Sequence, residues 1–131
     1  MSISIFTDGA YSQVKSKGGW AFVVTKDSEK LYSDYGDVEN STNNRMEIMA
    51  CLNSLKWCKT NNIIEVTIIS DSMYLIGTMR DGYKRNKNMD LWLQMDKAAE
   101  GISITWTHVK GHSGDKWNEY CDTLATYAYN Y

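Results

Sequence analysis

The chain of 131 residues contains no proline at all. It also lacks any low-complexity tract or internal repeat, so nothing marks a linker, and one domain over residues 1–131 is the expectation. No apolar run approaches the roughly 20 residues that a membrane-crossing helix needs. The opening Met1-Ser2-Ile3-Ser4 has none of the basic residues of a secretory signal. Cysteine is scarce: Cys51, Cys58 and Cys121 are an odd number with no CxxC pair, which fits buried thiols in a reducing compartment better than a disulfide framework. A cytoplasmic protein with no membrane partner is the expectation. An excess of positive charge is missing too, the net charge being −2 and the isoelectric point about 5.6. That argues against holding nucleic acid by a diffuse basic field. It leaves open a site built of acids around cations. The 43% hydrophobic and 12% aromatic content is ordinary for a globular domain with a real core.

What is present centres on Ile3-Ser4-Ile5-Phe6-Thr7-Asp8-Gly9-Ala10, whose apolar and β-branched residues predict a short strand stopped by Gly9. Asp8 stands where that strand is expected to end. In open α/β sheets the chemistry gathers at such ends. An isolated Asp-Gly is also a common turn. Three further acids, Glu47, Asp71 and Asp122, occur where the chain can return to the same point.

Taken in order, Tyr11 to Lys17 is polar and loop-like, and Trp20 to Thr25 is an apolar second strand. Lys30 to Gly36 alternates with period two as a half-exposed third strand does. The capping residues Ser41-Thr42-Asn43-Asn44 predict a helix to about Lys59, with Ile48, Cys51, Leu52, Leu55 and Cys58 on its buried face. Glu47 lies in its first turn, where a carboxylate capping the helix dipole is the plainer explanation. Ile63 to Ser70 predicts a central strand and Ser72 to Met79 a short helix, with Asp71 between them as a helix cap or a site acid. Arg80 to Asn88 is the most basic stretch, either a solvated loop or a phosphate-contacting rim of Lys84, Arg85 and Lys87. A helix over Asp90–Glu100, a strand over Ile102–His108 and a last helix from about Asp115 complete the chain. In that helix Trp117, Cys121, Leu124 and Ala128 form the stripe, with Asp122 beside it. The order β-β-β-α-β-α-α-β-α is that of an α/β domain, a mixed sheet with helices covering both faces.

Phe6-Thr7-Asp8-Gly9, Thr42-Asn43-Asn44-Arg45-Met46-Glu47, Ser70-Asp71-Ser72 and Met89-Asp90-Leu91-Trp92 together resemble type 1 ribonuclease H of the bacterial kind. Val109-Lys110-Gly111-His112-Ser113-Gly114 and Asn118-Glu119-Tyr120-Cys121-Asp122 extend the likeness over nearly the whole chain. The resemblance implies an RNase H-like fold, a five-stranded mixed sheet in the order 3-2-1-4-5. It implies cleavage of the RNA strand of RNA–DNA hybrids using two divalent cations, expected to be Mg²⁺ with Mn²⁺ as a possible substitute, and a monomer is the expectation. By the same resemblance Asp8, Glu47, Asp71 and Asp122 are the metal-binding acids, Asp8 bridging the ions, Asp122 serving the one that activates water, and Glu47 and Asp71 the other. His112 matches a loop histidine that assists proton or product traffic. Asn43 and Asn44 match residues that touch the hybrid in its minor groove, with Thr42 and Arg45 of the same phrase counted among the substrate contacts.

Phosphodiester hydrolysis needs an activated water and a stabilised leaving oxygen, which two cations about 4 Å apart provide. Hard carboxylate oxygens without a Cys or His cluster suit Mg²⁺ or Mn²⁺ rather than Zn²⁺. His108, in strand alternation, reads as structural, whereas an imidazole between glycines at 112 can exchange protons near neutral pH. Short amides suit 2′-hydroxyl recognition across the minor groove. Three features depart from the family: Ser12 to Lys17 replaces a Gly/Pro-rich loop, Met73 stands for a glutamine, and the basic extra helix after the fourth-strand helix is absent. A non-catalytic hybrid-binding scaffold, or another nuclease or integrase-like relative of the fold, are the competing readings.

Overall fold

The computed structural model describes residues 3–111 and 115–130. Three strands, β1 (Ile3–Ser12), β2 (Lys17–Lys26) and β3 (Glu29–Glu39), form an antiparallel meander. The link between β2 and β3 is a two-residue turn in which Asp27 and Ser28 both take positive φ, 51° and 68°. That backbone twist matches the twist of the flanking strands.

The first strand runs further than its sequence predicts. Gly9 does not stop it, because β2 keeps pairing through Ser12↔Lys17. What ends near Gly9 is the other ladder. The strand β4 (Glu65–Ser70) lies parallel to β1, and their pairing stops at Thr7↔Ser70. The next residue on each strand is an acid, Asp8 and Asp71. The parallel neighbourhood on which their meeting depends is therefore present. Ile63 and Ile64, expected in the same strand, lie before it, with Ile64 exposed.

Helix α1 (Asn43–Thr60) starts at the Thr42 cap, whose hydroxyl accepts from the Arg45 amide at 3.1 Å. Its expected face, Ile48, Cys51, Leu52, Leu55 and Cys58, is buried. Helix α2 (Met73–Asp81) is capped by Ser72, and α3 (Met89–Ala99) buries Leu91, Trp92, Met95 and Ala98. Strand β5 (Ser103–His108) pairs parallel with β4, and α4 (Lys116–Tyr129) closes the chain behind its Asp115 cap. The sheet order is β3-β2-β1-β4-β5.

Alternation along β1 splits the core between the two faces of the sheet. Ile3 and Ile5 join Phe22, Ile48, Leu75 and Trp92 under α1, α2 and α3. Phe6 joins Ala21, Val23, Cys121 and Ala125 under α4. All three cysteines are free and buried. Burial pushes the thiol pKa of Cys58 up to about 11, so these are packing groups and not nucleophiles. Among the described residues no helix is long and apolar enough to cross a membrane.

Candidate active site

The acids meet at the end of the β1–β4 ladder. Asp8 shares the sheet face of Phe6, two residues earlier, which is the face that α4 covers. Glu47 comes from the first turns of α1 on the opposite side and reaches the same point over Gly9. Asp8, Glu47 and Asp71 each place one carboxylate oxygen within 4.8 Å of the others. Asp122 stands beside this trio on α4. That helix is docked by its neighbour Cys121, whose thiol donates to the Phe6 carbonyl at 3.4 Å and the Ala21 carbonyl at 3.2 Å.

Such crowding is costly without a counter-charge. Asp8 and Glu47 are only 4% and 6% exposed. Burial, followed by repulsion from Asp71 and Asp122, pushes the Asp8 pKa up to about 8. Burial, with repulsion from Asp8 and Asp71, holds the Glu47 carboxyl well above the usual carboxylate range. The Gly9 amide, donating to Asp8 Oδ1 at 2.9 Å, offsets this in part. Asp8 Oδ2 and Glu47 Oε1 are buried with no hydrogen-bond donor among the described residues. Two buried carboxylate oxygens without a donor, set among like charges, suit a cation. The donor set is all oxygen, since the Cys121 thiol is occupied by main-chain carbonyls. Such a set suits a hard divalent cation.

Around the acids the expected contact residues divide. Asn43 and Asn44 are exposed on the first turn of α1, one helical turn from Glu47. Thr42 caps that helix. Arg45 is not a free cation: its guanidinium forks onto Asp90 at 2.7 and 3.0 Å and donates to Asn88 at 3.2 Å. Asn88 in turn donates to the Tyr74 hydroxyl at 2.9 Å. This network ties the start of α1 to the start of α3, and the Arg45 bond pulls the Asp90 pKa down to about 2. The basic segment before α3 also differs from three free cations. Arg85 holds Asp96 through two bonds of 2.6 and 3.0 Å and lies 5.3 Å from the centre of the Trp92 ring. A carboxylate and an aromatic face already engage it, and only Lys84 and Lys87 extend into solvent. His112 lies outside the described residues.

Sequence reasoning missed the partners that hold these acids. His108 Nε2 is 3.2 Å from the Asp71 carbonyl oxygen. The Asp90 carboxylate stood in a recognised phrase, but nothing local points from it to Arg45.

Comparison with known proteins gives the chain's relatives in sequence and in fold. The family model described as RNase H matches residues 1–130. A ribonuclease H of Acetivibrio thermocellus is 39% identical over 139 residues, covering 95% of this chain and 92% of the relative. In fold, the chain is similar to the N-terminal RNase H domain of a Mycobacterium tuberculosis protein, with a TM-score of 0.88 at 22% identity, covering 98% of this chain and 94% of that one. It is similar also to LC11-RNase H1, solved in complex with an RNA/DNA hybrid, with a TM-score of 0.87 at 19% identity and coverage of 98% and 97%.

Proposed function

The chain is an enzyme of the RNase H family, and on that premise we propose that it hydrolyses the RNA strand of RNA–DNA hybrids, leaving 3′-hydroxyl and 5′-phosphate ends. The observation that carries this reading is the acid trio, with oxygens within 4.8 Å of one another and two of them buried without a donor. Asp8, Glu47, Asp71 and Asp122 would hold two Mg²⁺ ions, with Mn²⁺ able to substitute. Once bound, the cations would neutralise the acids, activate a water and stabilise charge on the leaving 3′-oxygen.

The chain's own residues prepare the rest. The Gly9 amide holds Asp8 Oδ1 and leaves Oδ2 for the cluster. Burial of Asp8 and Glu47 keeps bulk water from screening the site, so charge interactions there are strong. The exposed amides of Asn43 and Asn44 offer donors and acceptors to 2′-hydroxyls of the RNA strand, a test that DNA cannot pass. Lys84 and Lys87 supply phosphate contacts that carry register and affinity but no sequence information. His112 exchanges the proton that the leaving 3′-oxygen must gain when the P–O bond breaks.

The decisive assay incubates the purified protein with a fluorescent hybrid, double-stranded DNA and double-stranded RNA, each with and without Mg²⁺. Cleavage of the hybrid's RNA strand alone, dependent on Mg²⁺, is the expected result. Binding of hybrid without cleavage would replace the hydrolase by a hybrid-binding module.

A further inference from the structure

Strands β4 and β5 end side by side, Ser70 pairing with His108, and the chain stays in contact beyond both ends. The Val109 amide donates to the Ser70 carbonyl at 3.0 Å. His108 Nε2 reaches the Asp71 carbonyl at 3.2 Å. A carbonyl oxygen only accepts, so the ring nitrogen in this bond carries the proton. Gly111 then lies against the carboxylate itself, where a Cβ would stand 3.0 Å from Asp71 Oδ2. The peptide of Asp71 is thus bounded by the last residue of β5 and its carboxylate by the segment that follows.

Asp71 is the least buried member of the trio. Asp8 and Glu47 are buried, whereas Asp71 is half-buried at the first position past its strand. Repulsion from Asp8 and Glu47 favours any rotation that swings its carboxylate toward water. Holding the Asp71 peptide fixes the direction of its Cα–Cβ bond, from which every rotation of the carboxylate starts.

We propose that His108 is a positioning residue for Asp71: by holding the Asp71 carbonyl, and with bare Gly111 leaving room beside Oδ2, it aims the carboxylate at Asp8 and Glu47. The proposal rests on the divalent-cation reading of the four acids. Partners that orient metal ligands affect affinity for the ion before they affect the substrate.

The test is calorimetric titration of Mg²⁺ into the free protein, for wild type, His108→Ala, His108→Gln and Gly111→Ala, each first shown by circular dichroism to be folded. His108→Ala is expected to weaken Mg²⁺ binding about tenfold. The Mg²⁺ concentration for half-maximal hybrid cleavage should rise by the same factor, with KM for hybrid at saturating Mg²⁺ unchanged. His108→Gln, which keeps an N–H donor at similar reach, should recover most of the affinity. Gly111→Ala should weaken Mg²⁺ binding with the His108 bond intact, and it decides the question alongside His108→Gln if the alanine variant at 108 does not fold. Wild-type Mg²⁺ affinity in His108→Ala, or a glutamine variant as weak as the alanine one, overturns the proposal. A wild-type protein that neither binds Mg²⁺ nor cleaves hybrid removes the cation reading as well, and that outcome is distinct because it appears before any substitution is made.

Discussion

Gly9 and Glu47 occupy adjoining space so closely that a Cβ on Gly9 would fall on the Glu47 amide nitrogen and the Met46 carbonyl carbon. Helix α1 can bring Glu47 to Asp8 only because this strand position has no side chain. Gly9→Ala must push the helix start away from β1, at a cost of about 1–3 kcal/mol for overpacking. It should lower the melting temperature and the hybrid cleavage rate together. An alanine variant with wild-type values of both would show that the contact is slack.

Asp8→Asn should abolish cleavage and leave the fold at least as stable as wild type. The substitution replaces an acid whose ionised form is penalised by burial and by the neighbouring acids. Loss of an acid central to the cluster should cost several kcal/mol of barrier, so less than about a tenth of the activity should survive. Single-turnover cleavage and a thermal melt in EDTA measure the two halves.

The stability of the metal-free protein should fall as pH rises. Asp8 titrates near pH 8 in the folded chain, and Glu47 is also raised, against roughly 4 for both when unfolded. Between those values the native state binds more protons than the unfolded state, so unfolding free energy decreases with pH. Melting in EDTA should therefore occur several degrees lower at pH 8 than at pH 5.5, since about 1 kcal/mol shifts a domain of this size by a few degrees. Adding Mg²⁺ at pH 8, which favours the ionised acids, should recover the loss. A flat profile in EDTA would mean that the acids are less crowded than their geometry indicates.

Lys84 and Lys87 should matter for binding alone. Replacing both with glutamine should raise KM for hybrid and flatten the salt dependence of binding by about two units, at roughly 0.9 per phosphate contact. Turnover at saturation should hold. Arg85→Gln should instead loosen α3, because its partners are Asp96 and Trp92. An unchanged salt slope in the double lysine variant would make the segment a solvated connection.

His112→Ala should slow turnover by about 100-fold without abolishing it, the contribution typical of a positioned proton carrier. Wild-type turnover at saturating substrate would leave His112 without a chemical role.

The order of the elements was legible in the sequence because each depends on neighbours close along the chain: alternation in β3, the 3.6-residue stripe of α1 and the Thr42 cap, although Ser72 and not Asp71 caps α2. Asp8, Glu47 and Asp71, which the fold brings together, each stand in a local phrase of the sequence, Asp8 and Glu47 inside an element and Asp71 just past one. Where the sequence misled, the deciding contact came from far away. Gly9 reads as a stop, yet β2 carries the strand on to Ser12. Arg45 was counted among the substrate contacts and Arg85 in a phosphate-contacting rim or a solvated loop, and neither reading named the partners Asp90 and Asp96 that hold them. The bond from His108 to Asp71 joins residues 37 positions apart, and no periodicity encodes it. By itself the sequence determined which segments become strand and helix and which residues carry charge. The tertiary structure alone decided which charges find a partner and which are buried without one, because burial and pairing belong to segments that meet in space, and only the packing of α1 on the β1–β4 ladder brings Asp8, Glu47 and Asp71 within 4.8 Å.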